Sequence, residues 1–276
     1  MKLVNDIKIH VLHTGTVIVD EALPFSTSSR NPIAWTGLFR NKRHQISLPV
    51  SVYLIEHPKG LVLIDTGWHT DNRVNQKKNL LFQYPVNKAS LPEGQAVHEQ
   101  LRNLGYEIED IDYVLMSHMH CDHADGLRHV KKAKKILLSE PEYEAIKSDK
   151  MHYLPHEWKD VDLSTFKLSY TNIGPKGYSF DLFGDGTLQM VWCPGHSKGL
   201  CATLVKKEGQ DKFVLLASDV GYANRSWERN ILPGVLVNRK DAQESLNWVK
   251  YISEDKNCIK AIANHDDNTE PQTIIL

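Results

Sequence analysis

Short apolar runs recur along the chain and alternate with polar stretches, a pattern typical of β-strands separated by turns. The runs that predict strands are residues 7–12, 50–56, 61–65, 113–117, 135–138, 188–193, 201–205 and 213–218. Two other stretches, residues 95–104 and 242–252, repeat apolar side chains at helical spacing, as Val97, Leu101 and Leu104 do in the first. Strands therefore outnumber helices, but both are predicted.

Strands mixed with helices favour the α/β (α+β) class, here an αββα sandwich of two packed mixed sheets with helices on their outer faces. The length of 276 residues suits one domain, residues 1–276, with a large core. Two long polar segments, 19–48 and 66–94, carry the aromatic residues Trp35, Phe39, Trp68 and Phe82. We expect these four to line a substrate site, although an apolar cluster beneath the loops is the alternative.

Composition narrows the classes of partner. Lys plus Arg (33) nearly balance Asp plus Glu (34), so the chain has no basic field that would gather nucleic acid. No run approaches the length of a membrane span, and residues 1–14 lack the apolar core of a signal peptide. The four scattered cysteines do not form a disulfide framework. A soluble cytoplasmic protein with a small-molecule partner is expected.

The densest group of potential metal ligands is the stretch His118-Met119-His120-Cys121-Asp122-His123, directly after the apolar run 113–116. A chain that leaves a buried strand and turns can aim neighbouring imidazoles and a carboxylate into one cavity. Imidazole nitrogen and carboxylate oxygen suit Zn²⁺ and similar divalent ions. The stretch therefore predicts a metal site, the alternative being a solvated histidine patch.

Three later motifs stand where an apolar strand is predicted to end, and they offer the distant ligands that a metal site needs. They are Pro194-Gly195-His196, Ser218-Asp219 and Asn264-His265-Asp266. With the earlier Leu63-Ile64-Asp65-Thr66-Gly67, these motifs follow the order H-x-H-x-D-H, G-H, a lone Asp and a final His. In that order the chain resembles the metallo-β-lactamase superfamily over residues 49–266.

The resemblance implies a centre of two divalent metal ions with seven ligands. One ion would be bound by His118, His120 and His196 and the other by Asp122, His123 and His265, with Asp219 as a bridge. Asp65 would hold the second ring nitrogen of a ligand imidazole, unless it only forms a turn. Zinc is the preferred metal, and manganese, iron or cobalt also accept this ligand set.

The same pattern separates the chain from some relatives. Flavodiiron oxygen reductases have Glu where His120 stands, and antibiotic-hydrolysing members of the B1 kind usually have Cys where Asp219 stands. Iron redox chemistry and β-lactam hydrolysis are therefore disfavoured. Cys121 lies between two ligands, but the resemblance implies a packed thiol that points away from the metals.

The chemistry expected of such a centre is hydrolysis. Two divalent ions about 3.5 to 4 Å apart lower the pKa of a shared water and give a bridging hydroxide nucleophile at neutral pH. The oxyanion then needs a donor, and the leaving alkoxide needs a proton. Tyr222 is the candidate donor, because N-acyl homoserine lactonases carry Asp-x-x-Tyr at this place; plain packing is its alternative. Asp122 would be both ligand and proton shuttle.

We therefore expect a lactonase for N-acyl homoserine lactones or similar esters, as a monomer or homodimer. A glyoxalase II-type thioester hydrolase is the first alternative, but no counterpart of its glutathione-binding segment follows His265. Balanced charge disfavours a phosphodiesterase, and the complete ligand set disfavours a non-catalytic scaffold. The chain departs from the lactonases at Lys198 and Leu200. Residues 151–158 are expected to form an inserted lid in which His152 and His156 are exposed, the alternative being that these two histidines touch substrate.

Overall fold

Two mixed β-sheets lie face to face in the computed structural model, which describes residues 6–27, 29 and 31–276. The strands of the first sheet are β1 (Lys8–Asp20), β2 (Gln45–His57), β3 (Gly60–Ile64), β4 (Lys88–Ser90), β5 (Tyr113–Leu115), β6 (Ile136–Ser139), β7 (Leu163–Phe166) and β14 (Gln272–Ile275). Those of the second are β8 (Ser169–Tyr170), β9 (Tyr178–Asp181), β10 (Leu188–Trp192), β11 (Cys201–Lys206), β12 (Phe213–Ser218) and β13 (Cys258–Ala263).

The first sheet has the order β14-β1-β2-β3-β5-β6-β7, with β4 paired to β1. Its strands β3, β5, β6 and β7 run parallel to one another. The second has the order β13-β12-β11-β10-β9-β8, in which only β12 and β13 pair in parallel. Strands β3, β5, β12 and β13 therefore have parallel neighbours whose carboxyl ends meet at one edge of each sheet. The loops that leave this edge carry the candidate metal ligands.

The helices are α1 (Asp71–Leu80), α2 (Val97–Asn103), α3 (Cys121–Ala124), α4 (Glu140–Ser148), α5 (Asn224–Glu228) and α6 (Arg239–Ser253). Helix α2 packs Val97 and Leu101 on the outer face of the first sheet. Helix α6 packs Leu246 and Val249 on the outer face of the second. The predicted αββα sandwich is confirmed.

Alternating side chains explain why the central strands are apolar on both faces. In β2, Tyr53 and Ile55 enter the core between the sheets, whereas Val52 and Leu54 enter the core under α2. The same period of two sends Leu216 of β12 inward and its neighbours toward α6. Strands buried on both faces appear in the sequence as unbroken apolar runs, and each of the eight predicted runs overlaps a strand.

The expectation of a long irregular segment at 66–94 was wrong in part, because α1 and β4 lie inside it. Helix α1 has no apolar stripe, and its backbone is interrupted at Asn75. Side-chain hydrogen bonds hold it instead: Asn72 and Asn79 both donate to the buried carboxylate of Asp125, at 2.7 and 2.8 Å.

Among the described residues, no helix is long and apolar enough to cross a membrane.

Candidate metal centre

Every predicted ligand lies in a loop, or in the short helix α3, that follows the carboxyl end of a strand. His118 to His123 follow β5, His196 follows β10, Asp219 follows β12 and His265 follows β13. Strand β11 is antiparallel to both β10 and β12, so β10 and β12 run in the same direction and their carboxyl ends lie at the same edge of the sheet. Four loops from two sheets thus converge at one place.

The six-residue motif is shaped by a short helix that begins directly after His120. Helix α3 turns the chain so that the backbone N–H of His123 donates to the carbonyl of His120 at 2.9 Å. The carbonyl of His123 in turn accepts from the backbone N–H of Thr66 and of Gly67, at 3.0 and 3.2 Å. Gly67 has φ 65°, and a Cβ there would lie 1.8 Å from Thr14 Oγ1, so only glycine fits this turn.

Asp219 lies between two groups of imidazoles. Its Oδ2 is 3.5 Å from His196 Nε2 and 4.0 Å from His118 Nε2. Its Oδ1 is 3.3 Å from the Nε2 atoms of both His123 and His265. Asp219 therefore occupies the position that a bridging ligand requires.

The remaining distances complete two ligand groups. His120 Nδ1 lies 3.1 Å from His118 Nε2 and 2.8 Å from His196 Nε2. Asp122 Oδ2 lies 3.4 Å from His265 Nε2. In each of two sets the ligand atoms lie within 4.8 Å of one another: His118, His120 and His196, and Asp122, His123 and His265. These are the two sets that the resemblance implies.

Several atoms of the centre are buried without a hydrogen-bond partner among the described residues, which is costly unless a cation accepts their lone pairs. They are His123 Nε2, His265 Nε2 and Asp219 Oδ1. Two of these imidazoles carry a proton on the other ring nitrogen. His123 Nδ1 donates to Asp65 Oδ2 at 2.8 Å, and His265 Nδ1 donates to the carbonyl of Pro49 at 2.7 Å. The residues present thus fit divalent metal ions with nitrogen and oxygen ligands.

Charge within the centre also favours a cation. Burial, followed by the neighbouring imidazoles, lowers the pKa of His118 and of His120 well below the usual histidine value. Burial acts in the same direction on His123, but Asp219 and Asp65 outweigh it and raise that pKa. Although burial opposes it, His265 and His123 hold the pKa of Asp219 well below its usual range, so the carboxylate is ionised.

Asp65 stands at the end of β3, where the resemblance places a residue that orients a ligand. Its Oδ1 accepts from the backbone N–H of Ser117 and its Oδ2 from the hydroxyl of Ser117, both at 2.7 Å. Ser218 Oγ donates to Ser117 Oγ at 2.8 Å, and His118 Nδ1 lies 3.1 Å from the same oxygen. The sequence assigned no role to either serine, because a serine at a strand end is unremarkable until the strands pair.

A cavity of roughly 260 Å³ opens beside the ligands. His120, Asp122, His196 and Tyr222 line its polar end. Its walls are mostly apolar and include Val17, Val19, Leu23, Val86 and Val235 together with Trp35, Phe82 and Met151. Gln83, Asn87, Cys121 and His152 complete the lining. A mostly apolar cavity with a few polar groups at one end is typical of a small-molecule site.

Tyr222 lies against two of the ligands. Its ring stacks on His265 with centroids 4.9 Å apart, and meets His196 edge-on at 5.7 Å. Burial, and then the charges of Asp219 and Asp122, raise its pKa well above the usual tyrosine value, so the hydroxyl keeps its proton. A protonated phenol at the wall of the cavity can donate a hydrogen bond.

Two of the four aromatic residues expected at the substrate site are placed elsewhere. Trp35 and Phe82 line the cavity. Phe39 is 94% exposed and does not line it. Trp68 is fully buried in a core cluster, and its indole N–H donates to the carbonyl of Thr16 at 3.2 Å. An aromatic residue in a long loop can serve either purpose, and the sequence could not separate them.

The segment predicted as a lid is packed into the molecule. Tyr153, Leu154 and Glu157 are buried. His152 lines the cavity, and His156 Nε2 donates to the carbonyl of Asn79 at 2.7 Å. Both histidines were expected to be exposed and are half-buried instead. We call residues 149–158 the wall segment, because Met151 and His152 form part of the cavity wall. Cys121 is buried, and it belongs to no group of potential metal ligands among the described residues.

The amino-acid sequence matches a family model described as the metallo-beta-lactamase superfamily over residues 47–256. Among curated proteins, it is 32% identical to the N-acyl homoserine lactonase AttM of Agrobacterium fabrum, over 79% of this chain and 82% of that protein. It is 28% identical to an N-acyl homoserine lactonase of Bacillus cereus, over 67% and 69% of the two chains.

The solved structures with a similar fold include two lactonases. One is an N-acyl homoserine lactone hydrolase with the product N-hexanoyl-L-homoserine at its catalytic metal centre, with a TM-score of 0.74, 23% identity and coverage of 94% of this chain and 93% of that one. The other is AidC, a dizinc quorum-quenching lactonase in complex with the same product, with a TM-score of 0.66, 15% identity and coverage of 98% and 94%.

Proposed function

Since the chain belongs to the metallo-β-lactamase superfamily, we propose that it is a metal-dependent hydrolase that opens the ring of N-acyl homoserine lactones. The observation that carries this proposal is the cavity, whose apolar walls lead to a polar end at the predicted ligands. An acyl chain needs apolar walls, and a lactone ring needs polar groups at the reacting carbon. The names of the curated relatives point to the same substrate class.

We further propose that zinc is the resident metal. The predicted ligands offer five imidazole nitrogens and two carboxylates, a set that zinc accepts readily. When bound, the two ions would lower the pKa of a water and polarise the lactone carbonyl. His118, His120 and His196 would hold one ion, Asp122, His123 and His265 would hold the other, and Asp219 would contact both.

Two side chains at the polar end of the cavity have further tasks. The protonated Tyr222 would donate a hydrogen bond to the carbonyl oxygen as negative charge develops there. Asp122, which lines the cavity, would pass a proton to the ring oxygen as its bond to the carbonyl carbon breaks. The oxygen of one water ends on the carbonyl carbon and one of its protons on the former ring oxygen, which gives the N-acyl homoserine.

Product analysis with metal-reconstituted protein tests the proposal. Lactones from butanoyl to dodecanoyl should each gain the mass of one water, and the rate should vary with the length of the acyl chain. Asp219→Ala should abolish turnover, whereas Asp211→Ala, at an exposed loop position, should leave it unchanged. Lactones that persist in the presence of fully loaded protein would overturn the proposed substrate.

A single hydrolase domain, a cytoplasmic location and a monomeric or homodimeric state stay predictions. The four cysteines are free thiols, which suits a reducing compartment.

A further inference from the structure

Glu142 is a buried carboxylate that the proposed chemistry does not use. It stands in the first turn of α4, with 1% of its surface exposed. It accepts four hydrogen bonds, two on each oxygen. Oε1 accepts from the backbone N–H of Met119 at 3.0 Å and from the hydroxyl of Tyr153 at 3.0 Å. Oε2 accepts from the hydroxyl of Ser197 at 2.8 Å and from the backbone N–H of Gly199 at 2.9 Å.

The donors belong to three separate segments, and two of these carry predicted metal ligands. Met119 lies between His118 and His120, and Ser197 directly follows His196. The side chain of Glu142 therefore ties together the two loops that supply the first ligand set. The fit is close: a Cβ on Gly199 would lie 2.2 Å from the backbone nitrogen of Glu142.

The third segment is the wall segment of the cavity. Tyr153 is buried, and its ring stacks on the imidazole of His120 with centroids 5.5 Å apart. The two residues before it, Met151 and His152, line the cavity. The carboxylate that fixes the ligand loops thus also fixes one wall of the proposed acyl site.

We propose that Glu142 is a positioning residue that couples the wall of the acyl cavity to the ligand loops of the metal centre. The two carboxylate oxygens have different roles, because Tyr153 bonds to Oε1 and the loop after His196 bonds to Oε2. Loss of the whole carboxylate should disturb both the ligand loops and the cavity wall. Loss of the Tyr153 hydroxyl should disturb only the wall, and loss of the Ser197 hydroxyl only the ligand loops. The part that concerns substrate rests on the proposed function.

Glu142→Gln keeps the shape but replaces one acceptor oxygen with an NH₂ group. A hydroxyl of Tyr153 or Ser197 can rotate to accept from that group. A backbone N–H cannot, so either Met119 or Gly199 is left facing a donor in a buried place. The matched control is Glu144→Gln on the same helix, where the carboxylate is exposed and its one partner among the described residues is Lys147.

Two readouts do not depend on any lactone. The first is the rate at which Co²⁺- or Zn²⁺-loaded protein loses metal to a chelator, with the visible spectrum of the Co²⁺ form as a signature of its ligand geometry. The second is backbone hydrogen exchange in a peptide covering residues 149–158. Glu142→Gln should release metal roughly 10- to 100-fold faster and exchange faster in the wall segment, while Glu144→Gln behaves as wild type.

The single-hydroxyl variants should separate the two effects. Tyr153→Phe should speed exchange in the wall segment and raise KM for long-chain lactones several-fold, with metal release and kcat unchanged. Ser197→Ala should speed metal release and leave exchange in the wall segment unchanged. Each variant is first compared with wild type by circular dichroism and by thermal unfolding of the metal-free protein.

The proposal is overturned if folded Glu142→Gln retains metal and exchanges like wild type, or if the metal-release and exchange effects occur equally in Glu144→Gln. It is also overturned if Tyr153→Phe and Ser197→Ala show the same mixture of effects, since the two oxygens would then have no separate roles. If wild type hydrolyses no lactone, the proposed function fails, and the two lactone-free readouts still decide the role of Glu142.

Discussion

Replacing Asp65 with asparagine should weaken metal binding without unfolding the protein. In the wild type, Asp65 Oδ2 accepts from His123 Nδ1 at 2.8 Å, which leaves the lone pair of Nε2 facing the centre. In the Asp65→Asn variant the amide oxygen can stay on the backbone N–H of Ser117, so the NH₂ group faces His123. The imidazole must then accept at Nδ1 and carry its proton on Nε2, the nitrogen that the metal needs.

The size of the effect follows from the cost of reversing that tautomer. Metal binding would place two donors, the amide and Nδ1–H, against each other in a fully buried site. The loss of a hydrogen bond to a charged acceptor costs about 1.5–3 kcal/mol, which agrees with the roughly 10- to 100-fold loss of metal affinity typical of residues that orient a ligand. The metal-free protein should stay folded, because Nε2–H can donate to Asp219 Oδ1, which lies 3.3 Å away in the wild type.

Competition with a chelator of known zinc affinity measures this difference directly. Asp112→Asn is the matched control, since Asp112 accepts from Leu61 N–H and Lys134 at the opposite end of β5. An Asp65→Asn protein that binds zinc within about twofold of wild type would refute the reasoning, as would an equal loss in Asp112→Asn.

Three further changes have distinct expected outcomes. Tyr222→Phe should lower kcat for lactones about 10- to 100-fold with zinc affinity unchanged; an unchanged kcat would remove the phenol from the reaction. Glu157→Gln should stabilise the fold by a margin that grows with pH. Both carboxylate oxygens are buried without a partner in the part of the chain that the structure describes, and burial, followed by Asp125, raises the pKa of Glu157 well above its usual value. The native state then binds more protons than the unfolded state above the usual carboxyl pKa, so wild-type stability falls as pH rises through that range. A stability difference between variant and wild type that is the same at pH 5 and pH 8, measured by denaturant unfolding, would contradict this. Gly67→Ala should destabilise the protein by about 1–3 kcal/mol, measured by urea unfolding, because the new Cβ meets Thr14 at a φ of 65°; a wild-type midpoint would show that the turn can rearrange.

The sequence could mark the residues that converge at this centre, because each of their motifs follows an apolar run, and strand ends place side chains in a reproducible way. The fold class followed from the same runs. Helix α1 escaped prediction because its residues show no apolar period, and Asn72 and Asn79 hold it through Asp125 instead. Phe39 and Trp68 could not be assigned, since sequence alone does not tell an exposed aromatic from a core one.

Hydrogen bonds between residues far apart in the sequence could not be predicted either. The four donors to Glu142 lie between 11 and 57 residues away from it along the chain. No local pattern reports such a set, because each member is ordinary by itself. Its meaning depends on how β5, β10 and α4 pack, which only the three-dimensional structure provides.

The central claim is that this centre and its apolar cavity serve a lactone. The most direct test compares kcat/KM of the zinc-reconstituted protein for N-hexanoyl-L-homoserine lactone, S-lactoylglutathione and bis(p-nitrophenyl) phosphate under one set of conditions. We predict that the lactone exceeds both others by at least two orders of magnitude. A thioester or phosphodiester that is turned over faster than the lactone would contradict the proposed function and leave only the two-metal centre.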